Sequence, residues 1–121
     1  MIKGTGIDII EIERISKAIE NQKFLERIFT KNEIKYFNTI NNNIYTIAGS
    51  FASKEAVVKA LGTGVRGFKW IDIEIVRNEL GKPMVVLYRN AKKIAEENEI
   101  TKIELSISHC KEYAVAQAIA I

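Results

Sequence analysis

The stretch from Ser50 to Gly64, SFASKEAVVKALGTG, leaves few folds open to this chain. It is built from good helix formers and runs into Gly62, the residue type that closes helices most readily. Stepped around a helical wheel from Phe51, Val57, Val58 and Leu61 fall to one side and Ala52, Ala56 and Ala60 to the other, leaving almost no polar face. A helix that is apolar nearly all round has to be covered by the rest of the molecule. Three charges nevertheless sit in it. On the wheel Glu55 and Lys59 lie at about 40° and 80°, between Phe51 and the alanines, and Lys54 at about 300°, between Val58 and Leu61. A buried ion is costly unless it is paired, hydrogen-bonded or bound to a ligand, so these charges require partners. An ordinary i,i+4 pair between Glu55 and Lys59, worth about 0.2–0.5 kcal/mol on a surface, is one reading; a functional site is the other.

The 121 residues, 47% of them hydrophobic, are enough for one domain spanning residues 1–121 and not for two. No apolar run approaches the roughly 20 residues of a membrane span, and MIKGTGIDII lacks the basic start, apolar stretch and small-residue cleavage site of a signal peptide, which predicts a cytoplasmic protein. The single cysteine, Cys110, excludes an intrachain disulfide and a cysteine-rich metal site. A Cys110–His109 nucleophile is disfavoured because strand neighbours point to opposite faces, so Cys110 reads as a small packed hydrophobe. The net charge is only +3, but Lys54 to Lys93 holds nine Lys or Arg against four Asp or Glu. That bias favours phosphorylated ligands or acidic partners; with no basic run it does not call for nucleic acid.

Periodicity gives an α+β domain in the order β-α-α-α-β-β-α-β-β, an antiparallel sheet packed with helices. TGIDIIEI reads as a strand leading into a helix over EIERISKAIENQ. Thr30, with Glu33 three residues on, has capping-box spacing and starts a second helix. NNN at 41–43 is a loop, the Ser50–Leu61 helix follows, and GTGVRGFKW is irregular. IDIEIVR and MVVLY form a hairpin across NELGKP, with Pro83 at a strand start where its missing N–H is tolerated. NAKKIAEENE is a short polar helix, and KIELSIS and YAVAQAIAI close the chain as a second hairpin.

Asp8 interrupts the run Ile7-Asp8-Ile9-Ile10, a second carboxylate in apolar surroundings. Taken alone it reads as a strand-face Asp capping a loop. Together with Glu55 it forms the kind of sparse carboxylate set that Mg²⁺ takes from protein when substrate phosphate and water supply the other ligands, and Lys54 and Lys59 would then face phosphate oxygens.

Four blocks, GTGIDIIEIERI, RIFTKNE, SFASKEAVVKALGTG and SISHCKEYAVAQAI, occur in the order found in the holo-acyl-carrier-protein synthases, the short 4′-phosphopantetheinyl transferases, and the chain resembles that family over nearly its whole length. The resemblance implies transfer of phosphopantetheine from coenzyme A to a serine of apo-acyl carrier protein with release of 3′,5′-ADP, in support of fatty acid biosynthesis. It also implies Mg²⁺ and a homotrimer with active sites between subunits. The family's metal-binding acids fall on Asp8 and Glu55 and its helix lysine on Lys59, which makes these three the expected catalytic group. Coenzyme A contacts are expected from Lys54, Lys59, Gly62, Thr63, Gly64, Lys82, Pro83 and, across a subunit boundary, His109. For the serine proton the residues point to a water held by Glu55 or Asp8, with Glu33 as an alternative base. Many relatives carry arginine immediately before the helix phenylalanine; here that position is Ser50, which reads as an N-cap, and Arg66 or Lys82 is left to compensate.

The family docks its acidic carrier on the first helix, where Arg14, Lys17, Lys23 and Arg27 stand; residues 11–35 hold six bases and five acids, so steering rests on one face rather than on a uniform patch. A different reading, a non-catalytic nucleotide- or RNA-binding module, uses the basic middle and the glycines but leaves Asp8 and Glu55 unexplained.

Overall fold

The computed structural model describes residues 1–121. Its elements run β1 (Gly4–Glu11), α1 (Ile12–Ala18), α2 (Gln22–Ile28), α3 (Lys31–Thr39), α4 (Ile44–Leu61), a single 3₁₀ turn (Trp70–Asp72), β2 (Ile73–Arg77), β3 (Pro83–Leu87), α5 (Arg89–Glu97), β4 (Ile103–His109) and β5 (Tyr113–Ala120). The α+β class and both antiparallel hairpins are as the periodicity requires. α2 is one helix more than expected: the Asn21 side chain accepts from the backbone N–H groups of Lys23 and Phe24, so a residue that reads as a helix end starts a new helix instead.

β5 is the central strand of the sheet β1-β5-β4, and α4 packs over one face of it. Ala114, Ala116, Ala118 and Ala120 point into that contact, fully or almost fully buried, and offer a floor low enough for close helix approach. β1 goes further, with Gly4 and Gly6 at positions where a methyl group would collide with the carbonyl oxygens of Ala60 and Ala56. Small residues on both surfaces therefore place the α4 backbone directly against β1. β2 and β3 form a separate two-stranded ladder whose tight connection is held by Asn78 and by Gly81 at φ +83°.

Lys54 is wholly buried, and its ammonium is engaged by the Ile28 carbonyl at 2.7 Å, the Trp70 carbonyl at 3.4 Å and Glu33 at 2.6 Å. Glu33 also accepts from the N–H groups of Thr30, completing the expected capping box, and Ile75. The neighbouring Glu74 accepts from the Thr30 and Tyr88 hydroxyls at 2.6 and 2.8 Å. This cluster ties α3, β2, the end of α2 and the 3₁₀ turn to the middle of α4, and no buried side-chain polar atom is left without a partner.

Two expectations are corrected here. Lys54 does not face phosphate, because its ammonium has no exposed surface and three oxygen partners of its own. Ser50 is not an N-cap: α4 begins six residues earlier, where the Asn43 side chain accepts from Tyr45 and Thr46, and Ser50 is buried mid-helix.

Candidate active site

The close packing of β1 on α4 brings three charged side chains to one edge of the interface. Asp8 faces α4 from β1, level with Ala116 of β5. Glu55 and Lys59 come from successive turns of α4, and the Lys59 ammonium donates to the Ile7 carbonyl at 2.8 Å and lies 3.4 Å from the Asp8 carboxylate. The group is accessible: the Lys59 side chain is 53% exposed and that of Asp8 17%.

Its electrostatics are those of an under-compensated carboxylate pair. Burial pushes the Asp8 pKa above the ordinary carboxylate value and outweighs the opposing charges of Lys59 and Arg14. Glu55 is pushed up as well, by burial first and then by the negative charge of Asp8, with Lys59 and Arg14 again opposing. Two part-buried acids, Asp8 adding to the proton affinity of Glu55 and the charges of Lys59 and Arg14 failing to offset their burial, form an oxygen donor set short of positive charge. A hard divalent cation that keeps waters and takes phosphate oxygens fits such a set, so Asp8 and Glu55 suit Mg²⁺.

The other expected contacts are placed as follows. Gly62 closes α4 in the left-handed region at φ +81°, and Gly64 follows at φ +67°. The Thr63 hydroxyl donates to the Gly64 carbonyl at 2.9 Å. Lys82 is exposed and pairs loosely with Glu104 at 3.5 Å, and Pro83 opens β3 beside it. His109 ends β4 and its ring stacks on that of Tyr45, centroid to centroid 4.9 Å with the planes inclined by 25°. Cys110 is a free, exposed thiol rather than a packed hydrophobe. Glu33, the alternative base, is buried and paired with Lys54, so it has no route to a substrate hydroxyl. Arg14 and Lys17 are exposed on α1, Lys23 and Arg27 on α2. Lys17 pairs with Glu13 at 3.3 Å, and the Arg27 guanidinium stands 5.9 Å from the centre of the Phe24 ring.

A family model for the 4′-phosphopantetheinyl transferase superfamily matches residues 4–118, the span that contains every member of this group. The chain belongs to that superfamily. It is 60% identical to a holo-acyl-carrier-protein synthase of Alkaliphilus oremlandii, the alignment covering 100% of both chains. Among solved structures, the holo-acyl-carrier-protein synthase of Neisseria meningitidis superposes with TM-score 0.92 at 35% identity, covering 100% of this chain and 99% of that one. The Helicobacter pylori synthase in complex with coenzyme A gives TM-score 0.85 at 33% identity, over 97% and 99% of the two chains. The enzyme class, phosphopantetheinyl transferase, is the one the sequence blocks imply.

Sequence reasoning missed two features of the site. The Ile7 carbonyl receives Lys59, and a main-chain acceptor leaves no trace in residue identity. Arg14, expected only at the carrier surface, also lies near enough for its charge to act on both Asp8 and Glu55. The one available signal was its position six residues after Asp8, just past the strand-to-helix corner.

Proposed function

We propose that this transferase moves the 4′-phosphopantetheine group from coenzyme A to a serine hydroxyl of an apo-acyl carrier protein, yielding the holo-carrier and 3′,5′-ADP, as a cytoplasmic, Mg²⁺-dependent enzyme of fatty acid biosynthesis. The observation that carries the reading is the convergence of Asp8, Glu55 and Lys59 across the β1–α4 contact, in a chain that matches the family from end to end. The coenzyme A complex of the H. pylori relative supports the donor.

In this reaction a serine O–P bond forms at the β-phosphorus and the bond from that phosphorus to the oxygen of the departing 3′,5′-ADP breaks. Phosphoryl transfer is served mainly by positioning and charge neutralisation. Bound at Asp8 and Glu55, Mg²⁺ would neutralise the pyrophosphate. Lys59, on an exposed side chain that needs only to leave Asp8 and the Ile7 carbonyl, reaches the same oxygens. A water held by Glu55 or Asp8 accepts the serine proton. Gly62 and Gly64, without side chains, let the backbone after α4 approach the nucleotide. Arg14, Lys17, Lys23 and Arg27 offer exposed positive charge to an acidic carrier.

A homotrimer with shared sites is part of the proposal. It is supported by the outer face of the sheet, where Ile7 and Ile9 are 61% and 63% exposed and Val115, Ile119 and Tyr113 stand beside them, an apolar surface that a second copy would cover. No helix is long and apolar enough to cross a membrane.

The test is mass spectrometry of apo-acyl carrier protein incubated with the enzyme, coenzyme A and Mg²⁺. A carrier that gains the phosphopantetheine mass, and fails to do so in chelator, is the expected result. No gain with several carriers refutes the transfer, and a gain unaffected by chelator refutes the metal.

A further inference from the structure

β1 lies at the edge of its sheet, and one of its outward carbonyls is put to use. Cys110 donates to the Tyr113 carbonyl where the β4–β5 hairpin closes, so the odd-numbered residues of β5 bond to β4 and the even-numbered ones to β1. Asp8, opposite Ala116, therefore stands at a bonded position of the ladder, and the main-chain carbonyl of Ile7 beside it faces the open edge. A carbonyl oxygen and the Asp8 carboxylate are thus brought together at the margin of α4. The Lys59 ammonium is seated on both, at 2.8 and 3.4 Å.

Carboxylate and carbonyl oxygens are also the donors that a hard divalent cation takes. The lysine therefore occupies a seat built for positive charge, and it fills that seat incompletely. It pairs with Asp8 alone and leaves the charge of Glu55, one turn earlier on α4, without an ion-pair partner. It is also free to leave. Its side chain is 53% exposed, whereas that of Lys54 is wholly enclosed, and a flexible four-carbon stem lets the ammonium swing without moving the helix. Two cations at one carboxylate repel each other, and the one with the higher charge and two carboxylates to bind keeps the place.

We propose that Lys59 is an exchangeable counter-ion: its ammonium keeps the cation's place on Asp8 and the Ile7 carbonyl until Mg²⁺ binds, and only the exchange frees it for the phosphates of the substrate. The inference rests on the reading of Asp8 and Glu55 as Mg²⁺ ligands. It adds an order to that reading, because the lysine becomes available to phosphate when the metal enters and not before, and it gives the Ile7 main chain a part in holding the lysine back.

The test is NMR of the full chain labelled with ¹³C in its lysine side chains and titrated with Mg²⁺ in the absence of coenzyme A. The Lys59 ε-methylene signal, assigned by its loss in Lys59→Met, is expected to move to the position shared by the exposed Lys92 and Lys93, whose own signals stay still. Its midpoint should match the Mg²⁺ Kd measured by calorimetry. Glu55→Gln, which weakens the metal site without touching the lysine's seat, should raise midpoint and Kd by the same factor. In Asp8→Asn, which keeps the shape and removes the charge, the signal should start near the exposed position and stay there. Heat of Mg²⁺ binding with an unmoved Lys59 signal, a midpoint that does not follow the Kd, or no Mg²⁺ binding to the coenzyme-free protein would each overturn the exchange while the transfer reaction stands. Transfer to the carrier that persists in chelator overturns the metal reading and the exchange together.

Discussion

Lys54→Met separates the two roles open to this lysine, phosphate ligand or buried anchor. Its ammonium is fully buried and holds Glu33, itself 3% exposed, together with two main-chain carbonyls. Removing the cation leaves the Glu33 carboxylate in the interior near Glu74, with only the N–H groups of Thr30 and Ile75 to stabilise it. Breaking a buried pair from one side costs about 3–5 kcal/mol, a large part of the ~5–15 kcal/mol that holds a domain together. For a chain of this length, at about 3–5 °C per kcal/mol, that is a fall in Tm of roughly 10–25 °C. Urea unfolding at fixed protein concentration, followed by the single tryptophan, Trp70, measures it, with the slope expected to stay unchanged. The double variant Lys54→Met/Glu33→Met, which removes both charges, should recover part of the loss. The KM for coenzyme A should be wild-type in whatever remains folded. Stability within about 0.5 kcal/mol of wild type, combined with a tenfold rise in that KM, would refute the argument and return Lys54 to the phosphate.

Three further outcomes follow from the site and its floor. Glu55 has a raised pKa in the fold, so its contribution to stability is fully present below its ordinary value of 4.5 and is lost as pH rises through the raised one. Glu55→Gln should therefore be the more stable protein at pH 7 in chelator, by less than about 1 kcal/mol because solvent reaches the group, with the gap closing near pH 4 and transfer activity lost; melting curves across that range test the sign. Lys59→Met removes the cation beside Asp8 and should tighten Mg²⁺ binding to the coenzyme-free protein a few-fold, the worth of an exposed pair at ~0.2–1 kcal/mol, measured by calorimetry, while turnover falls; unchanged or weaker Mg²⁺ binding would refute the competition between Lys59 and the cation for Asp8. Gly6→Ala drives a methyl group into the Ala56 carbonyl and should cost roughly 1–3 kcal/mol in urea unfolding, with a loss of turnover beyond the unfolded fraction because Asp8 follows two residues later.

Local patterns were legible in the sequence, and long-range partners were not. The Thr30–Glu33 box, the Gly62 helix stop and both hairpins rest on contacts between near neighbours, and each stands where its spacing puts it. The wheel also established that the charges of α4 need partners. It had no means to say that Lys54 finds Glu33, twenty-one residues away on α3, while Lys59 finds Asp8, fifty-one residues away on β1. The start of α4 was hidden for a different reason. IYTIAG, with β-branched residues and a glycine, has weak helix propensity, and those residues are helical because Ile47, Ala48 and Gly49 pack inside the protein. The proximity of Asp8 to Glu55 depends on the methyl groups missing at Gly4 and Gly6, which as letters read only as strand breakers.

The opposite fates of Lys54 and Glu55 follow from one rotation. Adjacent helix residues differ by about 100°, so a setting of α4 that puts Lys54 wholly inside turns Glu55 to the edge where Asp8 is, and four residues on it brings Lys59 to the same edge. Two independent contacts hold that setting. One is the Lys54 anchor, which joins α4 to α2, α3 and the 3₁₀ turn; the other is the steric fit of Ala56 and Ala60 over Gly6 and Gly4. The steric contact lies on the Asp8 side, so it governs the distance between the carboxylates, whereas the anchor lies on the opposite face and governs how much free energy keeps α4 docked. Lys54→Met should therefore lower stability and spare the kinetics of the folded enzyme, and Gly6→Ala should damage kinetics beyond its cost in stability. If the two variants instead shared one ratio of lost turnover to lost stability, α4 would be moving as a single unit and the separate roles given to its two faces would be wrong.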